Sequence, residues 1–211
     1  MKKRGLLTTG ISFLMLSLGA CSQGPSSYFP LSKGRTWTYE MSLKTAFGQR
    51  ESATLTITNL SARQLHNKTV IPQKTQASAG TRQINLFDYV VEGTNGTYVL
   101  AEQGPADVEP NILSPPQYVL KEPLRTGTSW NSPFDFSPDS SGPNRATIES
   151  TDETVDVPAG TFNGCLKIRI SKTSQGSAIK NAYEWFAPTV GLVRVVSEAD
   201  GSSLQLMSFR K

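Results

Sequence analysis

The feature that most constrains this chain is a period of two. From Thr36 to Lys44 the apolar residues Trp37, Tyr39, Met41 and Leu43 alternate with Thr36, Thr38, Glu40 and Ser42. Side chains of an extended chain point to opposite faces in turn, so this run is a strand with one buried face. Ala53, Leu55 and Ile57 alternate with Thr54, Thr56 and Thr58 in the same way, and a hairpin is the natural link. Ile84 to Glu92 and Thr97 to Gln103 flank Gly93-Thr94-Asn95-Gly96, and Asn-Gly between such runs is a hairpin signal. The last third carries five more runs, Ala146–Val157, Phe162–Lys172, Ala182–Ala187, Leu192–Ser197 and Ser203–Phe209, which read as a meander. No stretch shows the capped 3.6-residue period of a long amphipathic helix. The chain is therefore expected to be all-β: a single antiparallel, strongly curved sheet, or a half-barrel or sandwich built from hairpins, with long loops.

Proline and glycine punctuate this pattern. His66-Asn67-Lys68 reads as a turn, Pro72 breaks the run Thr69 to Ala77 and suggests an edge or a bulge, and the segments from Gly104 to Pro116 and Asn131 to Asn144 read as loops. Pro30-Leu31-Ser32-Lys33-Gly34-Arg35-Thr36-Trp37 and Pro123-Leu124-Arg125-Thr126-Gly127-Thr128-Ser129-Trp130 both fit PLxxGxxW. Glycine permits a turn there, and the tryptophan opens the next strand at the end of a core. Tyr183 and Trp185 oppose Phe186, so that strand is apolar on both faces and something must cover the second. Trp37, Tyr39, Trp130, Tyr183 and Trp185 are the side chains expected to line an apolar cavity, if the curved sheet encloses one.

The amino end is read as targeting, not structure. Lys2, Lys3 and Arg4 precede an uncharged run from Gly5 to Gly19, too short for a bilayer span of about 20 apolar residues. Leu18-Gly19-Ala20-Cys21 resembles the lipobox of bacterial lipoproteins. The resemblance implies a signal peptide at 1–20, acylation of Cys21 by palmitate-type chains, and a lipid anchor that is effectively permanent at about 0.8 kcal/mol per buried CH₂. Ser22 is not the aspartate associated with inner-membrane retention, so the expected location is the outer membrane of a diderm cell, facing the periplasm. Residues 21–27 then form a tether, and 28–211 a β-rich domain with a pseudo-repeat. Losing 1–20 removes three of the 21 Lys and Arg and none of the 17 acids, a balance of +1, which leaves no nucleic-acid footprint. Cys165 is left without an intramolecular partner and is expected to be a packed thiol.

Catalytic chemistry finds little to work with. His66 is the single histidine and sits in a polar turn. Ser177-Ala178-Ile179-Lys180 matches SxxK, but at the start of a strand and without its companion motifs. Asp152, Glu153 and Asp156, and Asp135 and Asp139, are neighbouring carboxylates on expected solvated segments, with no ordered calcium-loop spacing. Neither an enzyme nor a cofactor or metal site is expected.

VPAGTF at 157–162, YEWFAPTVGLVR at 183–194 (the pattern YxWFAPxVGLV) and the PLxxGxxW segments resemble a widespread group of uncharacterised bacterial secreted proteins and lipoproteins. Thr189 stands where that group has glycine. The resemblance implies a fold similar to the curved sheets of periplasmic lipoprotein carriers. The functional expectation is a membrane-anchored, non-catalytic binding or accessory module for an envelope protein partner; the alternative is a lipid or lipoprotein carrier with an apolar ligand in its cavity.

Overall fold

The computed structural model describes residues 28–44, 48–79, 82–132, 144–172 and 181–211. Cys21, Asp135, Asp139 and the Ser177–Lys180 segment lie outside the described residues. The strands are β1 (Thr36–Lys44), β2 (Arg50–Asn59), β3 (Arg63–Leu65), β4 (Lys68–Ala79), β5 (Arg82–Gly93), β6 (Gly96–Gln103), β7 (Asn111–Lys121), β8 (Ser129–Ser132), β9 (Asn144–Val157), β10 (Gly160–Lys172), β11 (Asn181–Ala187), β12 (Gly191–Ser197) and β13 (Ser203–Arg210). They form one antiparallel path, β7-β6-β5-β4-β2-β1-β13-β12-β11-β10-β9-β8, with β3 paired to β4 beside it. The end strands β7 and β8 lie against each other, so the sheet nearly closes into a barrel. Across that seam the Trp130 indole Nε1–H donates to Tyr118 O at 2.9 Å.

The path divides into two meanders of equal length, β1-β2-β4-β5-β6-β7 and β8 through β13, each opened by one PLxxGxxW segment. The two segments are built alike. Gly34 and Gly127 have φ of +80° and +89°, a region that costs glycine nothing. Gly34 N–H donates to Asn59 O and Gly127 N–H to Ile148 O, both at 2.9 Å. Asn59 N–H returns a bond to Arg35 O, and Ile148 N–H one to Thr128 O. Three residues beyond each glycine the tryptophan enters the first strand of its meander, with the indole N–H bonded to a backbone carbonyl: Trp37 to Val190 O at 2.6 Å, Trp130 to Tyr118 O. The motif is thus a device for starting a meander.

Of two proline-based expectations one needs correction. β4 is an interior strand, paired to both β2 and β5, and the irregularity expected at Pro72 is local to its β2–β3 side, where the steps from Asn59 to Arg63 exceed those from Gln73 to Val70 by one residue. Pro72 is tolerated because the β2 ladder ends at Asn59↔Gln73 and the β3 ladder starts at Arg63↔Val70, leaving Pro72 in the gap between them. The expected loop to Pro116 ends earlier, because β7 starts at Asn111 and carries Pro115 and Pro116. The β6 register jumps from Val99↔Gln117 to Ala101↔Ile112 across these prolines, so no ladder bond is asked of them.

The interior is packed from both meanders. One cluster joins Leu120, Trp130, Ile148, Leu166, Ile168 and Phe186 across the seam. A second joins Val155 and Cys165 of the β9–β10 hairpin to Trp37, Val190, Val193 and Leu206. Ala159 N–H, at the hairpin tip, donates to Leu206 O at 3.0 Å, fixing the tip on β13. Cys165 is fully buried, and burial, reinforced by Glu153, pushes its thiol up to about 11.

Candidate ligand cavity

Between the packed seam and the strands of the first meander the described residues leave the interior unfilled. A cavity of about 380 Å³ remains, within the range of about 300–1,000 Å³ typical of small-molecule sites. Its walls follow from strand parity. Trp37↔Ile57 and Tyr39↔Leu55 face inward from β1 and β2, Thr75↔Leu86 continues the wall on β4 and β5, and Leu192 and Phe186 face them from the second meander. Tyr39 is 2% exposed with its hydroxyl donating to Leu192 O at 2.9 Å, and burial raises its pKa far above the usual phenol value.

One row of the lining is polar. Gln73, Asp88 and Glu102 line the cavity in register across β4, β5 and β6, and Asn59, the β2 partner of Gln73, continues the row outside the lining. Asn59 is held: it accepts from Gln73 Nε2 at 2.8 Å, and its own Nδ2 donates to Pro30 O at 3.0 Å and Ser32 O at 3.1 Å. Asp88 and Glu102 line the cavity opposite each other, Asp88 half-buried and Glu102 exposed. Burial first, and then the Glu102 charge, raise the Asp88 carboxyl to about 6.

The first described residues complete the wall. Phe29 and Pro30 line the cavity, and the Phe29 ring stands 6.3 Å from that of Phe186. Tyr28 is anchored through its hydroxyl to Gly164 O at 3.1 Å. The cavity therefore adjoins Tyr28, the first described residue.

Of the five aromatic residues expected to line a cavity, Trp37 and Tyr39 do so. Trp130 is buried in the seam cluster and is not among the lining residues. Tyr183 and Trp185 are not either, because Ala182, Glu184 and Phe186 take the inward parity of β11. Their rings lie instead beside the cations of neighbouring strands: Lys167 Nζ is 4.8 Å from the Tyr183 ring centre, and Arg194 5.4 Å from that of Trp185. Glu149 pairs with Lys167 at 3.4 Å and Arg169 at 2.7 Å on the same face. His66 is exposed in the β3–β4 turn at φ 47°. Asp152 and Asp156 are exposed and Glu153 half-buried on β9. Among the described residues no group of three or more His, Cys, Asp or Glu could hold a metal ion.

Sequence reasoning missed Phe29, Gln73, Asp88 and Glu102. Asp88 had a signal: it shares the parity of Leu86 and Val90, and a carboxylate on an apolar face is out of place unless something is served there.

A model of the DUF3108-like family matches residues 144–209, which run from the start of β9 almost to the end of β13. The VPAGTF and YEWFAPTVGLVR segments lie inside that range and both PLxxGxxW segments outside it. No curated protein matches the chain. Two solved structures are similar. One is a Parabacteroides distasonis protein described as a lipoprotein, 17% identical, aligned over 89% of this chain and 100% of its own, at a TM-score of 0.43. The other is a Bacteroides fragilis protein described as exported and of YmcC-like fold, 15% identical, over 87% of this chain and 98% of its own, at 0.40. No enzyme family is indicated by these likenesses.

Proposed function

We propose that this protein is an envelope lipoprotein, tethered to the outer membrane through acylated Cys21, whose barrel binds a small amphiphilic ligand from that membrane. The observation that carries the reading is the 380 Å³ cavity with its apolar wall and single polar row. Of the two expectations from sequence, the cavity supports the apolar-ligand one over a protein partner. Its volume, toward the lower end of the range of about 300–1,000 Å³ for small-molecule sites, fits one chain better than a diacyl lipid or a lipoprotein's acyl chains. Residues 21–27 span at most about 25 Å when extended, so a tethered barrel works within reach of the bilayer surface.

The test is a titration of the chain from residue 21 carrying Cys21→Ser, which keeps every described contact. Dodecanol added below its solubility limit should change the fluorescence of Trp37 saturably, and Leu86→Trp, which fills the cavity, should abolish binding. Absence of saturable binding, or undiminished binding by Leu86→Trp, overturns the reading.

A further inference from the structure

The polar row says what kind of head group the ligand carries. Asp88 and Glu102 face each other across β5 and β6. Among the described residues neither carboxylate has an ion pair or a side-chain hydrogen bond. Like charges placed directly opposite on neighbouring strands are destabilising. The described wall offers no relief, since among the described residues the other titratable side chain that lines the cavity is Tyr39, whose hydroxyl is already committed to Leu192 O. Gln73, the register neighbour of Asp88 on β4, gives its amide to Asn59. Two acceptors without donors therefore stand beside an unfilled apolar volume, one half-buried and the other exposed. That is the arrangement of a cavity mouth: the buried side takes a chain and the exposed side a head.

We propose that the occupant is a single-chain amphiphile with a cationic nitrogen head, its chain among Trp37, Leu55, Ile57 and Leu86 and its head between Asp88 and Glu102. The inference rests on the cavity reading above and adds the head-group class. A carboxylate or phosphate head is disfavoured by the same geometry, because it would bring a third negative charge to the pair. A hydroxyl head would satisfy one acceptor and leave the repulsion in place.

The Cys21→Ser chain is titrated at pH 7.5 with dodecylamine, dodecanol and dodecanoate, equal in chain length and each below its micelle concentration. Dodecylamine should bind about tenfold or more tightly than dodecanol, with dodecanoate weakest. In Asp88→Asn/Glu102→Gln the amine and the alcohol should bind within about twofold of each other, with alcohol binding retained. If dodecanoate binds as well as the amine, or the amine preference survives in the double variant, the head-group assignment is overturned while the cavity reading stands. If none of the three binds, the cavity reading falls and takes this one with it. The wild-type ranking decides the matter by itself should the double variant fail to fold.

Discussion

Glu184 offers a stability test that needs no ligand. Its side chain is 2% exposed at an inward position of β11, with Ile168 and Val195 as register neighbours, and its Oε1 has no hydrogen-bond partner. Burial raises its pKa from 4.5 to about 8. In the unfolded chain the group ionises above about 4.5, whereas the folded state keeps its proton to about 8. Between those values the native state holds one more proton, so stability is fullest below the unfolded pKa and is lost as pH rises. The slope is about 1.4 kcal/mol per pH unit. Glu184→Gln removes this titration while keeping the shape. Urea denaturation of both proteins at pH 5 and pH 7 should show their stability difference moving by roughly 3 kcal/mol in favour of the variant. Any constant cost of the extra amide donor, about 1–3 kcal/mol, cancels from that comparison, and Asp88 titrates in both proteins. Parallel pH profiles would show that the carboxyl is not carried neutral into the core, and the argument would fail.

Thr189 adopts φ 60°, a conformation that is strained for a β-branched residue, so Thr189→Gly should raise stability by about 1 kcal/mol after the entropic cost of glycine; an unchanged or lower thermal midpoint would contradict it. Trp130→Phe removes the indole donor that bridges β7 and β8, and should cost about 1–2 kcal/mol while speeding hydrogen exchange of β8 amides; protection equal to wild type would refute the seam's dependence on that bond. With its thiol at about 11, Cys165 should resist Ellman's reagent at pH 8 until the protein is unfolded, and stoichiometric labelling of native protein would contradict its burial.

Much of the fold is legible in residue alternation. The run read from Thr36 to Lys44 is β1 with the same bounds, and Asn95-Gly96 turns β5 into β6. What alternation could not supply is which face lies inside when both are apolar. On β11 Trp185 and Phe186 are equally good core residues, and closure of the sheet, a contact between distant strands, decides for Phe186. Pro115 and Pro116 argue against a strand, yet β7 is at the end of the sheet path and its register skips them. The glycine that the resemblance called for at Thr189 is a demand of the backbone: the chain turns there in a left-handed conformation, and Thr189 O accepts from Arg35 Nη2. The cavity was half legible, through Trp37 and Tyr39. Its polar row was legible only at Asp88, a carboxylate on an apolar face, because Gln73, Asp88 and Glu102 belong to three strands and become neighbours only in register.

Native mass spectrometry of the Cys21→Ser chain, purified without detergent from cells that export it, tests most directly whether the barrel is a ligand carrier. A single-chain amphiphile bound one to one, and missing from Leu86→Trp, is the predicted result. A bare mass for the wild-type chain, after dodecanol and dodecylamine have also been offered and left it bare, would contradict the account.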